Sequence, residues 1–323
     1  MRAVRFHEHG GEEVLALEEV GRPEPGPDEV VVENKAIGIN HIDTLYREGI
    51  FPPPEMPAIP GSDFAGVVFE VGDEVTDFNV GDRVHGAGLG GDRPGTYAEY
   101  VSAPVERIAT LPDAVSFIDG AAMGHVGVAA WQAVIHHGDP APGDICLIHG
   151  GGGGVGHIAV QLAANAGATV ITTEAAEDTR ERLATLGATE TFDFRRDDLG
   201  EAILSVGEPH IIVDYFFDHY LEFDIEHVAH NGHISVLEFS TEVDGTATIP
   251  QSVLRAGILK DVTIQLVGIY NGDIANILNR MGAMCAAGNL SIEIAHEYSL
   301  EEAVKAHESL ANEVHVGKLV FSL

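Results

Sequence analysis

Gly150-Gly-Gly-Gly-Gly-Val-Gly156 stands between a run that reads as a strand and one that reads as a helix. Within it Gly151, Gly153 and Gly156 have the G-x-G-x-x-G spacing. The first glycine allows a tight turn, the second lets the backbone approach a pyrophosphate, and the third lets helix and strand pack closely. The helix that follows aims free amides and its positive dipole end at the phosphates. Thr173 and Glu174 close the next strand-like run, 18 residues beyond Gly156. A carboxylate there accepts hydrogen bonds from ribose hydroxyls and repels a 2′-phosphate. The alternative for Glu174 is one more solvated acid, and Arg180, Arg182, Arg195 and Arg196 lie near enough to hold a phosphate. No Lys-Ser or Lys-Thr pair follows the glycines, which argues against a nucleoside triphosphate loop. The expected ligand is a dinucleotide, NAD(P)H, with NADH favoured.

A second chemical candidate is His125, in Met123-Gly-His-Val-Gly127. An imidazole with the ordinary pKa of about 6.5 can donate a proton near neutrality or bind a substrate oxygen. The alternative is a packed, hydrogen-bonded histidine, one of 17 in the chain. The two cysteines, Cys146 and Cys285, cannot build a disulfide framework or a four-cysteine zinc site.

These residues need elements to hold them. The first third reads as strands and turns, with Val30-Val31-Val32, Phe64 to Gly72 and Gly81 to His85 as strand-like runs. Proline clusters around Pro52 to Pro60 exclude long helices there. The texture changes near residue 114. Ser116 to Ile135 is helix-compatible, and strand and helix patterns then alternate: Ile145 to His149, His157 to Ala166, Thr169 to Thr173, Thr179 to Leu186. Thr191 to Phe194, His210 to Asp214, His233 to Leu237 and Thr263 to Val267 add strands. Such alternation predicts an α/β fold, a doubly wound parallel sheet covered on both faces. The expected organisation is a mostly β region over 1–120, a dinucleotide-binding domain over 121–261, and a return to the first domain over 262–323.

The chain has 323 residues, enough for two domains, and 45% are hydrophobic. Asp and Glu number 51 against 17 Lys and Arg, a net charge of −34. Such a surface repels nucleic acid and anionic membranes. Only four of the cations are lysine. Acid-rich, lysine-poor but well-packed chains resemble those of organisms that keep molar salt in the cytoplasm, where the Debye length is about 3 Å; the alternative is an ordinary acidic protein. The start, MRAVRFHEHGG, has no apolar run, so a cytoplasmic location is expected.

Gly143-Asp144-x-x-Leu147-x-x-x-Gly151-Gly152-Gly153-Gly154-x-Gly156-x-x-x-x-Gln161 resembles the signature of the quinone oxidoreductase and zeta-crystallin branch of the medium-chain dehydrogenases/reductases. Only its last position departs, with Ala164 where a basic residue or serine is usual. Gly38 to Asp43, Pro60 to Gly66, Val80 to Val84, Gly95 to Tyr100, Ala130 to Gln132 and Val316 to Lys318 follow in family order. The resemblance implies a GroES-like domain at both chain ends around a Rossmann domain. It implies hydride transfer from NAD(P)H to quinones, enones and related acceptors, and a homodimer through the Rossmann domains. Zinc-dependent relatives use Cys-His-x-Asp and Gly-His-Glu where this chain has Asn40-His41-Ile42-Asp43 and Gly61-Ser62-Asp63, and His125 stands at the third ligand position. A zinc-independent enzyme is therefore expected, and no metal.

The resemblance also implies site residues. Asn40, Tyr46 and His125 are catalytic candidates, although the usual tyrosine position holds Leu45. Cofactor contacts are expected at Gly151, Gly153, Gly154, Val155, Gly156, Thr173, Glu174, Phe194 and Lys318. Asp43, Phe51, Phe217 and Tyr270 are substrate-side candidates, with loop support the alternative for Asp43 and core packing for Phe217. Two rival readings stay open: an alcohol dehydrogenase with an altered metal site, and a crystallin-like protein that keeps the cofactor without turnover.

Overall fold

A computed structural model describes residues 1–237, 249–269 and 272–323. In chain order the elements begin β1 (Arg2–Arg5), β2 (Ala16–Glu19), β3 (Glu29–Ile39), α1 (His41–Glu48), β4 (Asp63–Val71), β5 (Arg83–Gly86), β6 (Tyr100–Pro104), β7 (Ile108–Thr110), α2 (Phe117–Ala122) and α3 (Gly124–Ala130). A π-helical stretch, Trp131–Gly138, precedes β8 (Ile145–Ile148), α4 (Gly156–Asn165), β9 (Thr169–Thr173), α5 (Glu177–Thr185), β10 (Glu190–Phe192), α6 (Leu199–Val206), β11 (Ile211–Asp214), α7 (Phe217–His227), β12 (His233–Val236), α8 (Gln251–Lys260) and β13 (Thr263–Leu266). The chain closes with α9 (Ile274–Ala286), β14 (Ile294–Tyr298), α10 (Ala303–Asn312) and β15 (Lys318–Ser322). It divides into two compact units, Met1–Val128 with Ile269–Leu323, and Ala129–Gly268.

The first unit is organised by β3. Valines 30 to 32 are fully buried, so this strand has no solvent face there. Its first half pairs antiparallel with β6, its last residues with β15, and most of its length with β4. The seven-stranded sheet runs β14-β15-β3-β4-β5-β7, with β6 also on β3. Phe6, Ile37, Ile39, Tyr97, Leu319 and Phe321 form a core that joins both ends of the chain. Within it Tyr97 and Phe321 meet edge to face at 4.8 Å, a geometry worth about 0.5–1.5 kcal/mol beyond burial.

The second unit is a six-stranded parallel sheet in the order β10-β9-β8-β11-β12-β13. The chain winds outward from β8 to β10, then returns to β11 on the other side. The order therefore reverses between β8 and β11, and ligands of open α/β sheets bind at the carboxyl ends of strands at such a point. Leu147, Ile171, Ile203, Ile212 and Ile234 form its core. Among the described residues no helix is long and apolar enough to cross a membrane.

Candidate active site and dinucleotide loop

In the first unit the chain leaves β3 at Ile39 and enters α1 at once. Asn40 is the N-cap, in extended conformation, and its backbone N–H donates to Asp43 Oδ2 at 2.9 Å. That carboxylate also accepts from the Tyr97 hydroxyl at 3.0 Å. Behind it, Tyr97 Oη lies 3.1 Å from His307 Nε2, and His307 Nδ1 lies 3.0 Å from Arg47. One set of donors satisfies the whole line: Arg47 donates to Nδ1, Nε2–H donates to Tyr97, and Tyr97 donates to Asp43. Burial pushes Asp43 up to about 7 and His307 down to about 3, the latter helped by Arg47. Asp43 thus has the contacts of a helix cap rather than of a substrate ligand.

Asn40 is 3% exposed, and its amide is held at both ends. Nδ2 donates to Asp63 Oδ2 at 2.8 Å, and Oδ1 accepts from Lys318 Nζ at 2.7 Å. Lys318 also donates to the Ile39 carbonyl. Asp63 Oδ1 accepts the His125 backbone N–H at 2.8 Å. Glycines clear the space for this carboxylate: a Cβ on Gly124 would lie 2.5 Å from Asp63 Cγ, and one on Gly38 2.9 Å from Oδ2. Burial pushes Asp63 up to about 6 against the opposing pull of Lys318, and burial lowers Lys318 against the pull of Asp63 and Asp43. Lys318, Asn40 and Asp63 are thus a buried ion pair bridged by an amide.

His125 opens α3, half-buried, with Nδ1 3.5 Å from Ser62 Oγ. Ser62 Oγ accepts the Gly88 N–H at 3.0 Å, and its hydroxyl also bonds the Asp63 carboxylate. Burial, aided by the Lys318 charge, pushes His125 down to about 3. This corrects the expectation of titration near neutrality: His125 is a neutral imidazole there, not a proton store. Tyr46 lies in α1, 3% exposed, with its hydroxyl 3.0 Å from where a Cβ on Gly91 would stand. Phe51 is 48% exposed. The side chains do not fit a zinc ion, because Asn40 and Ser62 are poor ligands and the Lys318 ammonium already bonds the Asn40 oxygen. Among the described residues no three His, Cys, Asp or Glu are arranged to hold a metal ion.

In the second unit the glycine loop joins β8 to α4 at the switch point. Gly150 has φ of 62°, the left-handed region. A Cβ on Gly151 would lie 2.1 Å from Thr172 Oγ1, and one on Gly156 2.3 Å from the Gly150 carbonyl oxygen. Packing therefore demands glycine at the first and third motif positions. Gly153 meets only the Gly150 oxygen at an ordinary 3.5 Å, which leaves it the approach role. Gly154 and Val155 complete the loop ahead of α4. Thr173 accepts Gly150 N–H on its hydroxyl at 3.3 Å and Gly151 N–H on its carbonyl at 3.1 Å.

Glu174 turns back over the loop, so that a Cβ on Gly152 would lie 2.5 Å from its Oε2. Arg180 donates to the carbonyls of Glu174 and Ala175, and Arg195 is paired with Asp193 at 2.6 Å. Phe194 is 42% exposed. Phe217 is half-buried against the sheet core, on the core side of its two readings. Tyr270 lies outside the described residues. Sequence reasoning missed the joint role of Lys318 and Asp63, and it missed His149, a polar residue at the end of an apolar strand, which was signal enough.

Residues 26–113 match the alcohol dehydrogenase GroES-like domain model and residues 154–283 the zinc-binding dehydrogenase model. The quinone oxidoreductase of Salmonella typhimurium is 31% identical over 97% of both chains. The Escherichia coli quinone oxidoreductase, solved in complex with NADPH, is 28% identical with a TM-score of 0.88 over the full length of both. A solved NAD-dependent alcohol dehydrogenase is 30% identical with a TM-score of 0.90, also over the full length of both.

Proposed function

Because the chain belongs to the quinone oxidoreductase family of the medium-chain dehydrogenases/reductases, we propose that it oxidises NAD(P)H and reduces a quinone, enone or enoyl-type acceptor. The observation that carries this reading is the glycine loop at the reversal of strand order, with glycine required by packing at Gly151 and Gly156. The nicotinamide, when bound, supplies the hydride. The second unit holds the dinucleotide through the loop, Thr173 and the α4 N-terminus. In the first unit, His125 Nε2–H donates to the acceptor oxygen as negative charge develops there. Lys318 and Asp63 hold Asn40 and the His125 backbone in place. Alcohol oxidation is the second reading, favoured by the likeness to the alcohol dehydrogenase structure. A turnover panel separates them: consumption of NADH or NADPH by quinones and enones is expected. Oxidation of alcohols without quinone reduction overturns the proposal.

We further infer a preference for NADH. The support is Glu174 over Gly152, with Arg180 turned to backbone carbonyls and Arg195 paired with Asp193. Glu174→Ser is expected to shift the ratio of dissociation constants towards NADPH by about tenfold, as loss of one repulsive charge near a phosphate implies. An unchanged ratio removes the assignment.

Two further readings concern the surface. Leu266 on the edge strand β13 is 69% exposed, and Ile258 and Leu259 on α8 are 75% and 72% exposed. An apolar edge of this kind pairs with another chain, and we infer a homodimer through it. The net charge of −34 supports adaptation to molar salt. Sedimentation and melting in a KCl series test both. The expected results are a dimer that Leu266→Lys dissociates and a melting temperature that climbs towards molar KCl. A monomer throughout removes the first reading, and a flat melting curve removes the second.

A further inference from the structure

Beside the glycine loop lies a cluster of buried polar groups that the proposed reaction does not use. It stands at the carboxyl ends of three neighbouring strands: His149 follows β8, Thr173 closes β9 and Asp214 closes β11. Asp224 enters from α7. Tyr220, a turn earlier, stacks on His149 with ring centroids 4.3 Å apart. His149 is 1% exposed, and Asp214 and Asp224 are fully buried. His149 Nε2 meets Asp224 Oδ1 at 2.9 Å. Asp214 Oδ1 accepts the Phe216 N–H at 2.7 Å, and the Asp214 carboxyl faces that of Asp224. Oδ2 of each aspartate is buried with no donor from the protein. Two facing carboxyls with an idle oxygen each are satisfied together by one shared proton. On its other side, His149 Nδ1 lies 3.5 Å from Thr173 Oγ1, the atom that accepts Gly150 N–H.

We propose that His149, Asp224 and Asp214 form a buried proton-sharing triad that positions the dinucleotide loop through Thr173, so that cofactor affinity follows the number of protons the triad holds. The inference rests on the reading of the loop as a dinucleotide site. With one proton between the carboxyls and one on each imidazole nitrogen, the triad is neutral. Nδ1–H then donates to Thr173 Oγ1, and the threonine proton is free to turn elsewhere. When the imidazole loses its Nδ1 proton, the contact reverses and the threonine hydroxyl donates to Nδ1. Loss of the shared proton as well leaves two buried negative charges beside amides placed to meet a diphosphate. Burial and the facing Asp224 push Asp214 up to about 7. Against the effect of burial, the Asp224 and Asp214 carboxylates raise His149 above its ordinary value. The shared proton therefore leaves near neutrality and the imidazole proton above the ordinary histidine range, and affinity falls as pH rises. Tyr215 and Tyr220 also face Asp214, and both hydroxyls are raised above 10 by burial and the carboxylates, outside the range tested.

The test is titration of the full chain with NADH from pH 6 to pH 9, followed by nicotinamide fluorescence; the NADH diphosphate stays fully ionised across this range. The parent dissociation constant is expected to rise by about tenfold, the scale of one added charge at loop distance. Asp214→Asn, which cannot ionise, should bind more tightly than the parent at high pH. Thr173→Val, which cuts the link and leaves the triad, should flatten the curve. A parent constant that does not change with pH overturns the inference, as does a Thr173→Val curve that follows the parent. Should Asp214→Asn not fold, those two curves decide alone. Failure of both NADH and NADPH to bind at any pH is a different result, and it sinks the dinucleotide reading itself.

Discussion

Lys318→Met is expected to lower the free energy of unfolding by about 3–5 kcal/mol, the range for removing one partner of a buried ion pair. The methionine fills most of the space, so the loss is electrostatic. Asp63 is left fully buried with the Asn40 amide, the His125 N–H and the Ser62 hydroxyl to hold its charge. The deficit should depend on pH, and its sign is fixed. Burial already raises Asp63 to about 6 in the parent, and loss of the Lys318 cation raises it further. A carboxyl raised above its unfolded value favours the fold below that unfolded value and loses this contribution as pH rises through the folded one. The deficit is therefore smallest in mild acid and largest above neutrality. Urea unfolding at several pH values reads it, and Lys318→Met combined with Asp63→Asn should recover part of the loss. An unfolding midpoint equal to the parent's above neutrality would falsify the pairing.

His125→Ala is expected to lower kcat with a quinone acceptor by about 10²-fold, the cost of losing one preorganised donor to a developing oxyanion. The dissociation constant for NADH should move little, since the pyrophosphate loop belongs to the other unit. Because His125 is held down to about 3, the parent should show no limb from this residue between neutrality and mild acid. The alanine variant should keep the parent's profile at a lower height. If the variant turns over at the parent rate but melts earlier, His125 is a packed core residue.

The doubly wound sheet was legible because its strands are continuous apolar runs separated by helical spacing, and most boundaries fall within two residues of the structure. α1, α6, α7 and α8 carry no comparable signal. In α7 (Phe217–His227) acids stand among the apolar positions and mask the periodicity, and α6 and α8 each contain a glycine. The loop was legible as well, since three of its glycines answer to local packing or a positive φ. The site in the first unit was legible as a set of positions but not as a circuit. Asn40 and Lys318 are 278 residues apart, and no local pattern says that they touch. The depressed titration of His125 follows from burial, which only the fold creates. Asp224 looked like one acid among 51. Its burial against His149 depends on how α7 returns to the sheet.

The place of β15 bears on how the chain is made. Domains generally fold as units during synthesis, N-terminal first. Here the strand that sits between β14 and β3, Lys318–Ser322, follows the whole of the second unit. A nascent chain has the whole second unit available while the sheet of the first still lacks a central member. Until that strand arrives, β3 offers an open edge to any passing β-segment, and Asp63 stands without its cation. The unit that begins ahead of the second is thus completed only after it, and the interval between is when this protein most needs protection from its neighbours.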